Sequence, residues 1–470
     1  MPVPLIFITT NTLNKPKLML KRKADGANAA LPTSHHYAQL LAIGVPIVIG
    51  QLGTIVLGFA DTLMIGHHST NELAAAGLIN NIFVLVLIFY LGFSYGLTPI
   101  VGRLFGMGKT GEIGQKVCNS LIANALVGVL LTVVMTVLYF NLHHIGQPEE
   151  LLSLIRPYFL VNLVSVLFVG LFNTLKQFFD GIGKTQIAMW AMVVGNVVNI
   201  VFNWLLIYGV GCFPELGLLG AGIATLGSRV LMALALLAVL MCAPSYRTYR
   251  DGIAKSCFCR ADFVEMNRLG WPVALQLGME SAAFSLSCIM VGWLGTIALA
   301  AHQVVITVSQ LFYLVISGLA SASAIRISHF VGQGDTATVR VISADAFRLA
   351  FGFAVLMSIP TFIFRHHIGA IFSDSPEVHQ LVAALIIVLV VYQFGDSLQY
   401  TYANALRGIS CVRPMATCAF LAYFVISLPL GYVLGFVFHF GIYGIWAAFP
   451  VGLTVAGILF RRRFLKEINA

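Results

Sequence analysis

The chain is expected to be an all-α integral membrane protein: twelve transmembrane helices in two pseudo-symmetric six-helix lobes, parallel repeats around a central cavity. Three observations carry that expectation. The composition is 59% hydrophobic and only 10% charged, against roughly 25% charged in soluble domains. Twelve apolar runs reach the ~20 residues that a bilayer core requires of a helix. Finally, the two halves of the chain repeat each other at a lag of 226 residues (270 minus 44).

The runs lie near 38–64, 78–100, 118–141, 153–178, 187–209, 217–243, 266–294, 300–323, 345–365, 379–404, 412–436 and 441–460. They are rich in Leu, Ala, Val and Gly and show no two-residue alternation, so they are helical rather than β. Gly44-Val45-Pro46 at the start of the first span returns as Gly270-Trp271-Pro272 at the start of the seventh. LMIG (63–66) answers IMVG (289–292), ELAAAG (72–77) answers ALAAHQ (298–303), and the turn GMGK (106–109) answers GQGD (332–335). GLLGAGIA (217–224) answers GIYGIWAA (441–448) at a lag of 224. Six spans per repeat return the chain to its starting side, so the halves insert in parallel. Parallel halves rock about a shared cavity to give alternating access.

This divides the chain into a basic N-terminal tail (1–36), an N-lobe (37–243), an inter-lobe loop (244–262), a C-lobe (263–464) and a short C-terminus (465–470). The net charge of +9 is topological and implies no nucleic-acid partner. Lys15, Lys17, Lys21, Arg22 and Lys23 precede the first span, Arg103, Lys109 and Lys116 follow the second, and Arg407 and Arg413 follow the tenth. The opposite loops are nearly free of basic residues. By the positive-inside rule both termini are cytoplasmic, with the tail near anionic lipid. The cysteines are scattered, and Cys257-Phe258-Cys259 faces a reducing compartment, so neither a disulfide framework nor a zinc site is expected.

Of 18 acidic residues, three fall well inside spans: Asp61, Glu280 and Asp396. An ionised carboxylate in hydrocarbon costs at least ~2.5–3.5 kcal/mol, and such acids mark ion or proton paths by default. Glu280 lies 12 residues beyond Arg268, and Asp396 lies 11 before Arg407. At ~1.5 Å per residue the two share a depth near the midplane, in the same half. They are candidates for one cation site, for Na+ or H+. Asp61 corresponds to Ser287 in the repeat and lies further outward, in the other lobe. The competing structural role for each acid is a buried neutral carboxyl, which desolvation favours.

The polar neighbours are cavity-lining candidates. Asn199 and Asn203 share a face of the fifth span with Asn196; Asn173 and Gln177 lie on the fourth and Gln51 on the first. Such amides serve equally well as interhelical glue. Tyr392, Gln393 and Tyr400 flank Asp396, and Phe284, one turn beyond Glu280, offers a face to an organic cation. Arg229 is the one basic residue deep in a span, with an acid or a backbone carbonyl as its expected partner. The histidine pairs 67–68 and 366–367 read as solvated helix ends. Asp180-Gly181-Ile182-Gly183-Lys184 lacks P-loop spacing.

With those residues in place, the chain over about 37–460 resembles the multidrug and toxic compound extrusion (MATE) transporters, in particular the NorM-like branch. The likeness rests on GVPIVIGQLGTIVLGFADTLMIG (44–66), LAAAGL (73–78), PIVGRLFGMGK (99–109), NVVNIVFNWLLIYG (196–209), LGLLGAGIAT (216–225), GMESAAF (278–284), NALRG (404–408), LPLGYVLGF (428–436) and GIYGIW (441–446), in that order across two lobes. The resemblance implies efflux of bulky, often cationic drugs and toxic compounds by a monomeric antiporter in a bacterial inner membrane, hence antibiotic resistance. Inward flow of Na+ or H+ drives it, and no other cofactor takes part. It gives Glu280 and Asp396 the role of cation-site acids, and Asp61 a role in coupling and export. The alternative is a lipid-linked oligosaccharide flippase of the same superfamily, whose cavity should be more basic. An intramembrane enzyme is disfavoured, since no nucleophile or metal motif accompanies the acids.

Overall fold

The computed structural model describes residues 33–145, 149–256 and 258–469. Most of the tail and Cys257 lie outside these. Twelve described helices are long and apolar enough to cross a membrane. Spans 1 to 6 are His36–His68, Thr70–Gly106, Thr110–Phe140, Leu151–Gly181, Thr185–Ile207 and Gly217–Cys242. Spans 7 to 12 are Arg260–Gly292, Thr296–Gln333, Thr336–Ile363, Pro376–Gly408, Arg413–Val437 and Gly441–Asn469. The first helix begins at Thr33, inside the stretch assigned to the tail, because His36 is buried against the second lobe. A short helix, Arg247–Ala254, occupies the inter-lobe connector and packs on span 3.

Helix packing repeats with the sequence. Span 1 packs on span 5, span 2 on span 4 and span 4 on span 6; likewise span 7 packs on span 11, span 8 on span 10 and span 10 on span 12. The turns that end spans 2 and 8 repeat too. Gly108 (φ +73°) and Gly334 (φ +77°) both take the left-handed conformation that a side chain resists. Span 11 breaks the symmetry. Where span 5 is regular, span 11 opens into π turns at Leu421–Ser427 and Val433–Val437 on either side of Pro429.

The lobes meet along a pseudo-two-fold seam. Span 1 contacts span 8 and span 2 contacts span 7. Small residues permit this approach, as is usual between membrane helices. Gly44 faces Gly318 across one contact; across the other, Gly270 faces Gly96 and Gly92 faces Ala274. At the ends of spans 2 and 8 the pairing becomes reciprocal: a methyl on Gly106 would overlap the His329 carbonyl, and one on Gly332 the Arg103 carbonyl. These last two contacts map onto each other at the lag of 226.

Polar bonds reinforce the seam on the side that carries the chain ends. Arg103 pairs with Glu265 (2.7 Å), and Lys116 with both Asp262 (2.7 Å) and Glu265 (2.6 Å). His36 meets Asp345 at 3.1 Å, and Arg326 donates to Gln39. Among the described residues, no inter-lobe hydrogen bond or ion pair lies beyond the level of Gln51 and Ser317 (2.8 Å). Further along span 1, Val56, Phe59 and Leu63 are 50%, 69% and 48% exposed. The lobes are therefore closed at the terminal side.

Candidate cation sites and the seam between the lobes

Four helices of the second lobe converge on Glu280. Span 7 supplies the glutamate and, one turn earlier, Gln276, whose Nε2 donates to the carboxylate at 2.9 Å. Span 10 brings Asp396 within electrostatic reach and Gln399 within hydrogen-bonding reach. Tyr423, on the π turn of span 11, also reaches the carboxylate, and its hydroxyl accepts from Gln399 at 3.0 Å. The wider turn is what carries this phenol into the site, in keeping with the frequency of π-bulges at functional positions. Span 8 contributes Tyr313, hydrogen-bonded to Tyr400 at 2.7 Å.

The chemistry of this cluster is that of a hard cation or a proton. It holds two carboxylates, amides and phenols. Asp396 Oδ2, Gln399 Oε1 and both amide atoms of Gln393 are buried without a hydrogen-bond partner. Buried polar groups are ordinarily paired, so these bare oxygens point to a missing positive partner. Hard cations take such oxygen ligands. Among the described residues no group of three His, Cys, Asp or Glu side chains gathers to hold a metal ion. A cation here would thus lean on amide and phenol oxygens beside the two acids.

Outward of the pair, Phe284 stacks on Phe449 (centroids 5.0 Å, 20°) and meets Tyr392 edge-on at 6.4 Å. Trp446 closes this cluster and donates to the buried His302 at 3.1 Å.

Asp61 stands in a different environment, in the first lobe. The amides of Asn199 and Asn203, 2.9 Å apart on span 5, both face its carboxylate. Asn196, on the same face, instead meets Gly53. Arg229 from span 6 donates to Ser165 and lies within electrostatic reach of Asp61 and of Tyr158. The partner of Arg229 is therefore a hydroxyl, with the acid nearby. Asp61 has a cation in reach, whereas among the described residues Glu280 and Asp396 have none beside them.

The remaining amides sit at the seam. Gln51 accepts from Ser317. Gln177 accepts from Thr98 at 2.5 Å, and both glutamines line a polar gap with room for about one water. Asn173 is buried one turn before Gln177. The same gap holds three charges whose roles sequence reasoning missed. Lys176 pairs with Asp180 at 2.6 Å, and Arg407 lies over the ring of Tyr95 in the opposite lobe at 4.5 Å. Arg407 was expected as a flanking loop residue; it is buried inside span 10. The signal available was a charged pair four residues apart in NTLKQFFDG (173–181), inside an apolar run.

A sequence model of the MatE family matches residues 46–205 and 272–433. The two matched segments begin 226 residues apart, at the prolines of spans 1 and 7. Among solved structures, the chain is similar to an outward-facing multidrug-resistance MATE transporter of the MOP superfamily, at 21% identity and TM-score 0.82, covering 92% of this chain and 96% of that one. A MOP-superfamily transporter from Pyrococcus furiosus, described as having a binding pocket of reversed polarity, matches at 21% identity and TM-score 0.82, covering 97% and 98%. A mutant of the Vibrio cholerae MATE transporter VcmN matches at 18% identity and TM-score 0.82, covering 93% and 98%. At these identities the likeness is one of fold.

Proposed function

This chain belongs to the MATE family, and from that premise we propose that it is a cation-coupled antiporter that exports organic, often cationic, drugs. The observation that carries the proposal is the Glu280–Asp396 cluster, with its unpartnered oxygens and, among the described residues, no basic side chain beside it. A Na+ or proton entering the cluster relieves the mutual repulsion of the half-buried Glu280 and the buried Asp396. Its departure restores that repulsion. Occupancy thus alters the packing of spans 7, 10 and 11, and span 7 also forms the seam with span 2. Coupling follows if the closed seam is more stable with one occupancy than with the other.

Asp61, already compensated by Arg229, serves in this scheme as the first lobe's switchable acid rather than as a second metal site. The organic cation meets the apolar and aromatic surface between the lobes, with both termini in the cytoplasm and export directed away from them. The protein acts as a monomer in the bacterial inner membrane, as the enclosed seam within one chain supports. A flippase for lipid-linked oligosaccharide finds less support. The cations at the seam, Lys176 and Arg407, are already engaged by Asp180 and Tyr95.

The test is ethidium efflux by wild type and Glu280→Gln under separately imposed Na+ and H+ gradients. Wild-type efflux should follow one gradient, which identifies the ion, and the variant should lose at least about tenfold in driven rate, the kinetic equivalent of ~1.4 kcal/mol. Unchanged gradient-driven efflux in a normally expressed variant would remove Glu280 from coupling.

A further inference from the structure

A groove of about 410 Å³ opens on the outside of the second lobe, on the terminal side, between the first turns of span 11 and span 7. It lies away from both acid sites. Arg268 and Arg413 project into it, and both are exposed with no hydrogen bond or ion pair among the described residues. Trp271 and Pro272 form its inner wall, and Phe263 and Val264 its rim. Trp271 is held in place: its Nε1 donates to Asn267 at 2.9 Å, and its other face packs on Phe89 and Phe93 of span 2 at 5.6 and 5.4 Å. Leu275, one turn further into the membrane, is 46% exposed and extends the apolar wall.

The pseudo-symmetry provides an internal control. Spans 4 and 10 and the turns after them repeat at a lag of 227, with the turn at Gly183 answering that at Ser410. The positions equivalent to Arg268 and Arg413 in the first lobe are therefore Ala42 and Gln186, and the position equivalent to Trp271 is Val45. The first lobe thus carries no cation at either of these positions. The two guanidinia and the indole are additions in the second lobe, beyond what packing requires.

We propose that this groove binds an anionic phospholipid, with the phosphate between Arg268 and Arg413 and an acyl chain along Trp271 and Leu275. Guanidinium groups suit phosphate oxygens because they present paired donors in a plane. Basic pockets between spans at the membrane boundary take acidic headgroups. A soluble anion would use the arginines and leave the apolar wall idle. Because Trp271 is also a seam residue, a bound lipid braces span 7 against span 2.

Native mass spectrometry of the full chain in detergent, titrated with phosphatidylglycerol or with phosphatidylcholine, tests this. Wild type should retain phosphatidylglycerol in preference to phosphatidylcholine. Arg268→Gln with Arg413→Gln should weaken that retention about 30-fold. Arg462→Gln, which removes another exposed arginine elsewhere, should leave it unchanged. Equal retention of the two lipids, equal loss in Arg462→Gln, or displacement of the lipid by inorganic phosphate at matched concentration would each overturn the proposal. If the glutamine double variant misfolds, Arg268→Lys with Arg413→Lys keeps the charge without the paired donors. The lysine pair should then retain phosphatidylglycerol more weakly than wild type, and unaltered retention would overturn the role of the guanidinia.

Discussion

Gly44 and Gly270 are the same residue in the repeat, yet their surroundings predict different costs for one added methyl. A Cβ on Gly270 would lie 2.8 Å from the Phe93 carbonyl oxygen and 2.7 Å from its ring. The equivalent Cβ on Gly44 would lie 3.3 Å from the tip of Leu319 and 3.4 Å from the Gly318 carbonyl. The first contact falls about 0.6 Å short of the 3.4 Å at which ordinary contact begins, and it involves backbone, which yields only if spans 2 and 7 separate. The second is met by a flexible side chain. Overpacking of the first kind costs about 1–3 kcal/mol, so Gly270→Ala should shift the balance from closed to open seam by roughly 5- to 150-fold. Gly44→Ala should shift it by less than about fivefold. Distances between spin labels at the terminal-side ends of spans 2 and 8, measured by double electron–electron resonance, report that balance directly. Gly111→Ala, with nothing within 4 Å of the new methyl, is the neutral control. Equal shifts for Gly44→Ala and Gly270→Ala, or none for either, would refute the assignment of a tight and a loose contact.

Two further outcomes follow from the charges. Arg407→Gln removes the cation that holds Tyr95 across the seam; a cysteine placed at Ser321, which lines the same gap, should react with a terminal-side thiol reagent about 5- to 30-fold faster, as expected for a desolvated cation–π contact of ~1–2 kcal/mol. Asp61→Asn should lower thermal stability by removing the nearest counter-charge of Arg229, and adding Arg229→Met should recover part of the loss, because a buried charge left uncompensated costs more than a neutral side chain in its place. A double variant less stable than either single variant would show that the two residues do not compensate each other.

The spans, their number and the repeat were legible because hydrocarbon imposes length and composition on each helix independently of its neighbours. Glu280 and Asp396 were legible for the same reason: an acid at mid-span has no local excuse. Arg407, Lys176 and Asp180 were not. Near a helix end a charge looks like a flank, and only the opposite lobe, contributing Tyr95, turns Arg407 into a buried contact. Gln276, Gln399 and Tyr423 were missed because amides and phenols in apolar helices are common. Tyr423 further depends on a π turn that no periodicity announces. Asp61 was recognisable as unusual, but its difference from the other acids lies in Arg229, which approaches from a helix distant in sequence.

The seam has a consequence for how the two lobes can differ. It is isologous: a surface meets a rotated copy of itself, as in a two-fold homodimer built from one chain. A change on the axis, at Gly106 or Gly332, is felt from both sides at once. A change off the axis is felt in one lobe only. Glu280 answers to Thr54, and Asp396 to Val169, while Asp61 answers to Ser287. The acids have diverged completely, yet the glycines and prolines that let the halves meet, at 44 and 46 and again at 270 and 272, remain the same. A fixed hinge line thus frees each lobe to specialise, one in a bare acid pair and the other in a single acid with a cation nearby.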